Sequence, residues 1–258
     1  MLFLVAAAVG AALWYFQPAQ VRPLLPGAVR PAPTESWLDR LASQNPRVAE
    51  EAEAEVKQLG ASALPDVATA LQDPAAPPKR RKAALRACAQ LGTIAAPLLP
   101  HVATHLQSPD YAAEAALALS VMGPDAFTPL ANALKSDEPE VRKEAVRSLG
   151  KLQERAPLDA DHVIPPLLDA LADRDPGVRA VAATYLGIIH QHGEDVVPAL
   201  ADLLKDESPE VRGAAATALG SFGAAATPAL PALRRAAGDK DENVAREAGL
   251  ALVKLQSK

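Results

Sequence analysis

Histidines are the residues of this chain whose types and spacing could support chemistry. His101 and His105 are four residues apart, so on a helix they would share one face, from which two imidazoles can bind one metal ion. Neither a cysteine nor a clear acidic third ligand stands beside them in the sequence. Solvated polar positions are therefore the favoured interpretation of this pair, and a metal site is the alternative.

A second group of histidines lies in two predicted turns, close to several carboxylates. Its members are His162 with Asp159 and Asp161, and His190 and His192 with Glu194 and Asp195. Imidazoles and carboxylates together form the ligand sets of many catalytic metal sites. If the two turns lie side by side, His162, His190 and His192 could serve a metal-dependent enzyme or a metal-binding accessory protein. A pair of exposed polar loops is the competing interpretation.

Other signatures of catalysis are missing from the sequence. It contains no Gly-rich phosphate loop, no Gly-x-Ser-x-Gly and no His-Glu-x-x-His. Cys88 is the sole cysteine, which excludes an intrachain disulfide and a cysteine-based zinc site. It occupies an apolar repeat position and is expected to be a buried structural thiol. The main prediction is therefore a protein without catalytic, cofactor-binding or metal-binding residues, and not an enzyme.

The elements that would position these side chains form an internal repeat. Seven anchor positions follow one another at spacings of 30 to 37 residues: Val48, Arg80, Tyr111, Val141, Val178, Val211 and Val244. An alanine stands four positions after every anchor: Ala52, Ala84, Ala115, Ala145, Ala182, Ala215 and Ala248. Apolar residues also recur eight and eleven positions after the anchor, which together describe one face of a helix. The alanine predicts a close approach of a second helix.

Each repeat carries the start and stop signals of two helices. A proline precedes six of the seven anchors by two positions, where a helix can begin without its missing N–H. Glycines mark the following turn at Gly60, Gly92, Gly123 and Gly223. A second amphipathic stretch then begins near another proline, as in Pro198 through Leu204. Each unit therefore reads as helix, turn, helix.

These residues resemble a known repeat family. The strings Pro139-Glu140-Val141-Arg142 and Pro209-Glu210-Val211-Arg212, each followed by the alanine and by Leu-Gly, look like HEAT repeats, particularly the bacterial subset similar to repeats of phycobilisome lyases. The resemblance implies an all-α, right-handed α-solenoid, an armadillo-type superhelix of about six hairpins plus terminal half-units. It also implies that the arginine after the anchor pairs with acids between repeats. That arginine stands at Arg81, Arg142, Arg179 and Arg212, whereas Ala49, Ala112 and Ala245 interrupt the series.

The sequence divides into three segments. Residues 2–16 are an uninterrupted apolar run, which predicts a membrane anchor or a signal segment over 1–17. Five prolines in 18–35 indicate an extended linker, and 36–258 hold the repeats. We expect a protein tethered to the membrane through residues 2–16, with its repeats outside the cytoplasm in the periplasm. Secretion after signal cleavage is the alternative.

Charge and repeat type together predict the function. The formal net charge of −5 provides no general attraction for nucleic acid, so a HEAT-type nucleic-acid binder is a weaker alternative. The leading hypothesis is a non-catalytic scaffold for protein–protein interaction. Its protein or peptide ligand would lie on a concave face formed by the second helices. The longest unit carries an insertion at 153–159, which is expected to lie in a loop at one rim of that face.

Overall fold

The computed structural model describes residues 36–155 and 158–256, and all regular structure within them is helical. A short helix, α1 (Trp37–Leu41), precedes the repeats. The first helices of the units are α2 (Pro46–Leu59), α4 (Pro78–Leu91), α6 (Ala112–Leu119), α8 (Pro139–Arg155), α10 (Pro176–Ile189), α12 (Pro209–Ser221) and α14 (Glu242–Gln256). The second helices are α3 (Leu64–Gln72), α5 (Leu99–Leu106), α7 (Phe127–Ala133), α9 (Ala160–Asp169), α11 (Gly193–Leu203) and α13 (Leu230–Ala236).

The helices pack in two layers, as the repeat predicted. Each first helix contacts the first helix of the next unit, and each second helix packs mainly against the first helix of the unit that follows it. The described residues thus contain six helical hairpins, with α1 before them and α14 after them. Trp37 and Leu41 of α1 are buried against the first unit, so that α1 covers the end of the repeat stack. The all-α solenoid is confirmed.

The helix boundaries have local causes. Proline occupies the first turn of α2, α4, α10 and α12, where no N–H is required. The side chain of Asn45 accepts a hydrogen bond from the amide of Arg47, and Asp175 caps α10 by accepting from Val178. First helices α2 and α4 end at glycines with positive φ, Gly60 at 53° and Gly92 at 58°. Such a conformation favours glycine because it has no Cβ.

One continuous hydrophobic core runs through the units. The seven alanines that follow the anchors have no exposed surface at all, in every unit. A larger side chain at these positions would have to displace the atoms packed around it, since native interiors leave few voids. The complete burial of this alanine in every unit agrees with the close packing predicted from its recurrence.

The predicted membrane localisation must be corrected. A spanning helix needs about 20 mostly apolar residues, and none of the helices within 36–155 and 158–256 has both the length and the apolar character to cross a bilayer. Segments 1–17 and 18–35, with the apolar run 2–16 that carried the expectation, lie outside the described residues. The anchor, the cleaved signal and the periplasmic location are therefore not kept.

Candidate functional site

The arginines after the anchors form a ladder between the C-terminal repeats. Three bidentate ion pairs connect consecutive units: Arg142 with Asp173 at 2.7 and 2.8 Å, Arg179 with Asp206 at 2.8 and 2.8 Å, and Arg212 with Asp239 at 2.8 and 2.8 Å. Each arginine also donates from Nη1 to backbone carbonyls of the loop that precedes its own helix. The guanidinium groups are thus occupied by the protein itself. The predicted structural pairing is confirmed.

The acids of this ladder are held in their charged form. Burial opposes ionisation of Asp173, but hydrogen bonds from Arg142 and from the amide of Asp175 outweigh it and lower the pKa of Asp173. The hydrogen bond from Arg212 is the main cause that lowers the pKa of Asp239. These shifts arise from pairing inside the fold. They therefore do not indicate a catalytic acid or base.

A different contact joins the N-terminal repeats. Arg81 finds no acid at the ladder position and donates instead to the hydroxyl of Tyr111 at 2.9 Å and to the carbonyl of Asp73 at 2.9 Å. The ring of Tyr111 meets the ring of His105 edge to face, with centroids 5.5 Å apart. His105 in turn hydrogen-bonds through Nε2 to the carbonyl of Leu71 at 3.0 Å. Burial lowers the pKa of His105, which keeps the imidazole neutral.

His101 and His105 do not converge on a common point. The Nε2 atom of His101 lies 2.9 Å from the amide nitrogen of Gln72, whereas His105 is directed to Leu71. Both imidazoles connect α5 to α3. Their four-residue spacing reflects this contact between neighbouring second helices.

The turns of the fourth and fifth units do lie side by side, as the sequence suggested. His192 Nε2 is 3.1 Å from a carboxylate oxygen of Asp161 in the neighbouring unit. His162 faces its own Asp159 at 3.7 Å, and His190 contacts the carbonyl of Ile188 through Nδ1. Within the part of the chain that the structure describes, no three His, Cys, Asp or Glu side chains are grouped to hold a metal ion.

The turn that carries His190 and His192 has an unusual backbone. Both residues have positive φ, 37° and 52°, and His190 stands at the repeat position that glycine occupies in four other units. Non-glycine residues adopt this conformation at a cost of about 1 kcal/mol or more. The sequence shows that glycine is absent from this position, but it does not show that His190 keeps a positive φ there.

Cys88 is fully buried in α4, and burial raises the pKa of its thiol to about 12. A thiol with such a pKa is almost entirely protonated at neutral pH and is a poor nucleophile. The sequence-based interpretation as a structural thiol agrees with this position.

The second helices present one exposed side chain at an equivalent position in each unit. This position lies two residues after a fully buried valine or leucine, and its occupants, here called the second-helix row, are Thr69, Thr104, Asn132, Asp169, Asp202 and Arg235. The row changes from neutral to acidic to basic along the chain. Asp202 pairs with Lys205 at 3.1 Å, whereas Asp169 and Arg235 make no ion pair with the described residues. The row is therefore a surface whose charge changes along the chain, with neutral residues in the first three units, acids in the next two and a base in the last.

A cleft opens between α7 and α9 beside this row. Its walls are largely apolar and come from Ala131, Leu134, Pro166 and Ala170. The side chains of Lys135 and Asp169 also line it. Only the packing of the two helices shows that a cleft separates Lys135 and Asp169.

Two structural contacts escaped the sequence interpretation. The glycine nine positions after the anchor, as in Gly150 and Gly187, lets one first helix touch the next: a Cβ on Gly187 would lie 2.6 Å from Cα of Ala218. The side-chain amide of Gln153 also makes two hydrogen bonds to the backbone of Leu158. These bonds tie α8 of the long unit to the residue that leads into α9. Part of the predicted loop insertion is helical, since α8 continues to Arg155. The Leu-Gly recurrence was a visible signal for the first contact.

Comparison with known proteins supports this geometry. A family model described as HEAT repeats matches residues 96–162 and 164–253, more than half of the chain. The Escherichia coli protein YIBA_ECOLI has a similar structure, with 20% identity over 86% of this chain and 80% of that one, at a TM-score of 0.55. The complex of CpcE and CpcF of phycocyanin lyase from Nostoc sp. PCC7120 aligns with 22% identity over 60% of this chain and 98% of that one, at 0.51. No curated protein matches the sequence significantly.

Proposed function

The chain belongs to the HEAT-repeat family, and from this premise we propose that it is a non-catalytic scaffold that binds a protein or peptide along its second-helix row. The observation that carries the proposal is the division between the two layers. First helices repeat the same buried alanine in every unit, whereas the exposed row carries neutral residues in the first three units, acids in the next two and a base in the last. Variation of exposed side chains on a constant framework is how repeat proteins obtain specificity.

The ion-pair partners of the charged side chains also support binding at the second-helix row. Charges on first helices are largely used in local pairs, such as Lys82 with Glu114 at 3.5 Å and Arg147 with Glu144. Asp169 and Arg235 of the second-helix row have no such partner among the described residues. Charges that remain available can discriminate between ligands by complementarity. A protein or peptide ligand on the concave side of the solenoid would use them.

Nucleic acid fits this surface less well. The row carries two acids beside one arginine and contains no aromatic side chain on which a base could stack. The alternative of a metal-dependent function has no observation in its favour beyond the single contact between His192 and Asp161. We therefore propose neither. The proposed binding unit is the predicted domain, residues 36–258.

Peptide selection tests the proposal. Peptides that bind the immobilised full-length chain would be selected from a random library and then measured against two charge-reversal variants. Asp169→Lys with Asp202→Lys changes the second-helix row and should weaken binding about tenfold or more, since reversal adds repulsion to the lost attraction. Glu138→Lys with Glu207→Lys is the matched control, because it makes the same change of charge at exposed loop acids between repeats. Loss of binding in the control with retention in the row variant would contradict the proposal.

A further inference from the structure

The cleft between α7 and α9 has the size of one side chain. Its volume is about 170 Å³. Cavities that hold a benzene-sized group measure about 150 Å³, whereas pockets for small-molecule ligands and cofactors measure about 300 to 1,000 Å³. The cleft is therefore too small for a cofactor and suited to one apolar side chain of a larger ligand.

The walls of the cleft favour an apolar occupant between two charges. Ala131, Leu134, Pro166 and Ala170 supply the apolar surface. Asp173 also lines the cleft, and its charge is neutralised by the bidentate contact with Arg142. Lys135 follows the C-terminal end of α7, Asp169 is the last residue of α9, and the described residues contain no ion pair between them. The rim on the α7 side thus carries a basic side chain and the rim on the α9 side an acidic one.

We propose that this cleft receives one apolar side chain of an extended peptide, flanked by an acidic residue facing Lys135 and a basic residue facing Asp169. The inference rests on the proposed function, because it specifies the ligand of the same surface. Packed helices lie about 10 Å apart. In an extended peptide of the polyproline II type, the two neighbours of a residue lie about 6 Å apart, and with three residues per turn their side chains point to different sides of the central one. Side chains that diverge from those neighbours can therefore reach both rims.

Synthetic peptides provide the test. Four capped nonapeptides of otherwise identical Gly/Ser sequence would carry Asp-Leu-Lys, Lys-Leu-Lys, Asp-Leu-Asp or Asp-Gly-Lys at the centre, and their affinities for the full chain would be measured by fluorescence anisotropy at low ionic strength. Wild type should prefer Asp-Leu-Lys, with each mismatched charge weakening binding about two- to fivefold. Loss of the leucine should weaken it at least about tenfold. The net charge of −5 alone would favour Lys-Leu-Lys, so it cannot produce this order.

Variants of the protein should change the order in a defined way. Lys135→Glu makes both rims acidic and should shift the preference to Lys-Leu-Lys, whereas Asp169→Lys should shift it to Asp-Leu-Asp. Both side chains are exposed, so thermal melts should match wild type. Lys205→Glu is the matched control: it makes the same charge change beyond the end of α11, outside the cleft, and should leave the order unchanged.

The outcomes separate this inference from the proposed function. The inference about the cleft is overturned if wild type and the three variants rank the four peptides in the same order. It is also overturned if wild type binds the Asp-Gly-Lys peptide as tightly as the Asp-Leu-Lys peptide. If library-selected peptides still lose affinity in the Asp169→Lys and Asp202→Lys variant, the proposed function stands without it. If they do not, both are overturned.

Discussion

At the scale of single residues, the smallest side chains carry most of the specificity of the fold. The seven alanines after the anchors are fully buried, and Gly150, Gly187 and Gly220 let the next first helix approach closely. A Cβ on Gly150 would lie 2.0 Å from an atom of the Tyr185 ring, and one on Gly220 would lie 3.1 Å from Cα of Ala251. These positions cannot accept a methyl group unless a neighbour moves.

Gly187→Ala should destabilise the protein by about 1–3 kcal/mol, because the new methyl group would overlap the backbone of Ala218 and force the helices apart. Gly213→Ala is the control within a neighbouring first helix, since a Cβ there meets nothing within 4 Å. It should stabilise by about 0.5–1 kcal/mol through helix propensity. Urea denaturation measures both, and equal midpoints for the two variants would contradict the close-packing argument.

At the scale of elements, the two halves of the repeat array use different links between helices. The C-terminal units are joined by Arg–Asp pairs, and the N-terminal units by the contacts of Arg81, Tyr111 and His105. The arginines of these pairs also donate to carbonyls of the loop that precedes their own helix. Each arginine therefore connects that loop to the loop that carries its paired aspartate. The halves should therefore differ in their response to pH and substitution.

Arg142→Met should destabilise by about 3 kcal/mol, because it leaves the half-buried carboxylate of Asp173 without its partner. Since pairing lowers the pKa of Asp173 in the folded state, this stability is present above the pKa of the unfolded chain, about 3.9, and is lost as pH falls through the lower folded value. The stability difference between wild type and Arg142→Met should thus shrink in acid. Arg246→Met, which removes an exposed pair with Glu247, is the control and should change stability little.

The N-terminal link should respond near neutral pH. Because burial lowers the pKa of His105 in the folded state, the unfolded chain binds more protons below its own value of about 6.5, and the free energy of unfolding decreases as pH falls through that window. Above the window this contribution is fully present. Arg81 and His101 act in the same direction. His105→Gln should therefore flatten the loss of stability between about pH 7.5 and pH 5, measured by urea titration. Thr104→Gln, at an exposed side chain of the same helix that carries no titratable group, should leave the slope unchanged.

At the scale of the whole molecule, the continuous core connects units that have no individual core of their own. Each hairpin buries one face only against its neighbours, so opening of a unit exposes the next. The same arrangement leaves the second-helix row outside, where its composition does not influence the packing. A stable framework and a variable surface are thus compatible in this chain.

Cys88 reports on the integrity of this core. Because the thiol is fully buried and burial raises its pKa to about 12, it should react with a disulfide reagent only after the surrounding units open. Its modification rate under native conditions should therefore rise with urea in parallel with unfolding. A rate in buffer close to that of the urea-unfolded chain would contradict burial of Cys88.

The sequence alone determined the repeat, its helices and its buried alanines, because these depend on local periodicity and on capping residues that act over a few positions. It also identified the arginines that pair between units, through the resemblance to HEAT repeats. It could not decide whether His162, His190 and His192 meet, since this depends on the packing of neighbouring units: His192 reaches Asp161 of the preceding unit, whereas His162 and His190 contact Asp159 and Ile188 of their own units.

Only the tertiary structure decided what lies between units. The contact of Gly187 with Ala218, the clamp of Gln153 on Leu158 and the cleft beside Asp169 all depend on how neighbouring helices are offset. That offset is set by packing of many side chains at once, so no single spacing in the sequence reports it. The exposure of the second-helix row and the absence of ion-pair partners for Asp169 and Arg235 among the described residues likewise followed from the fold.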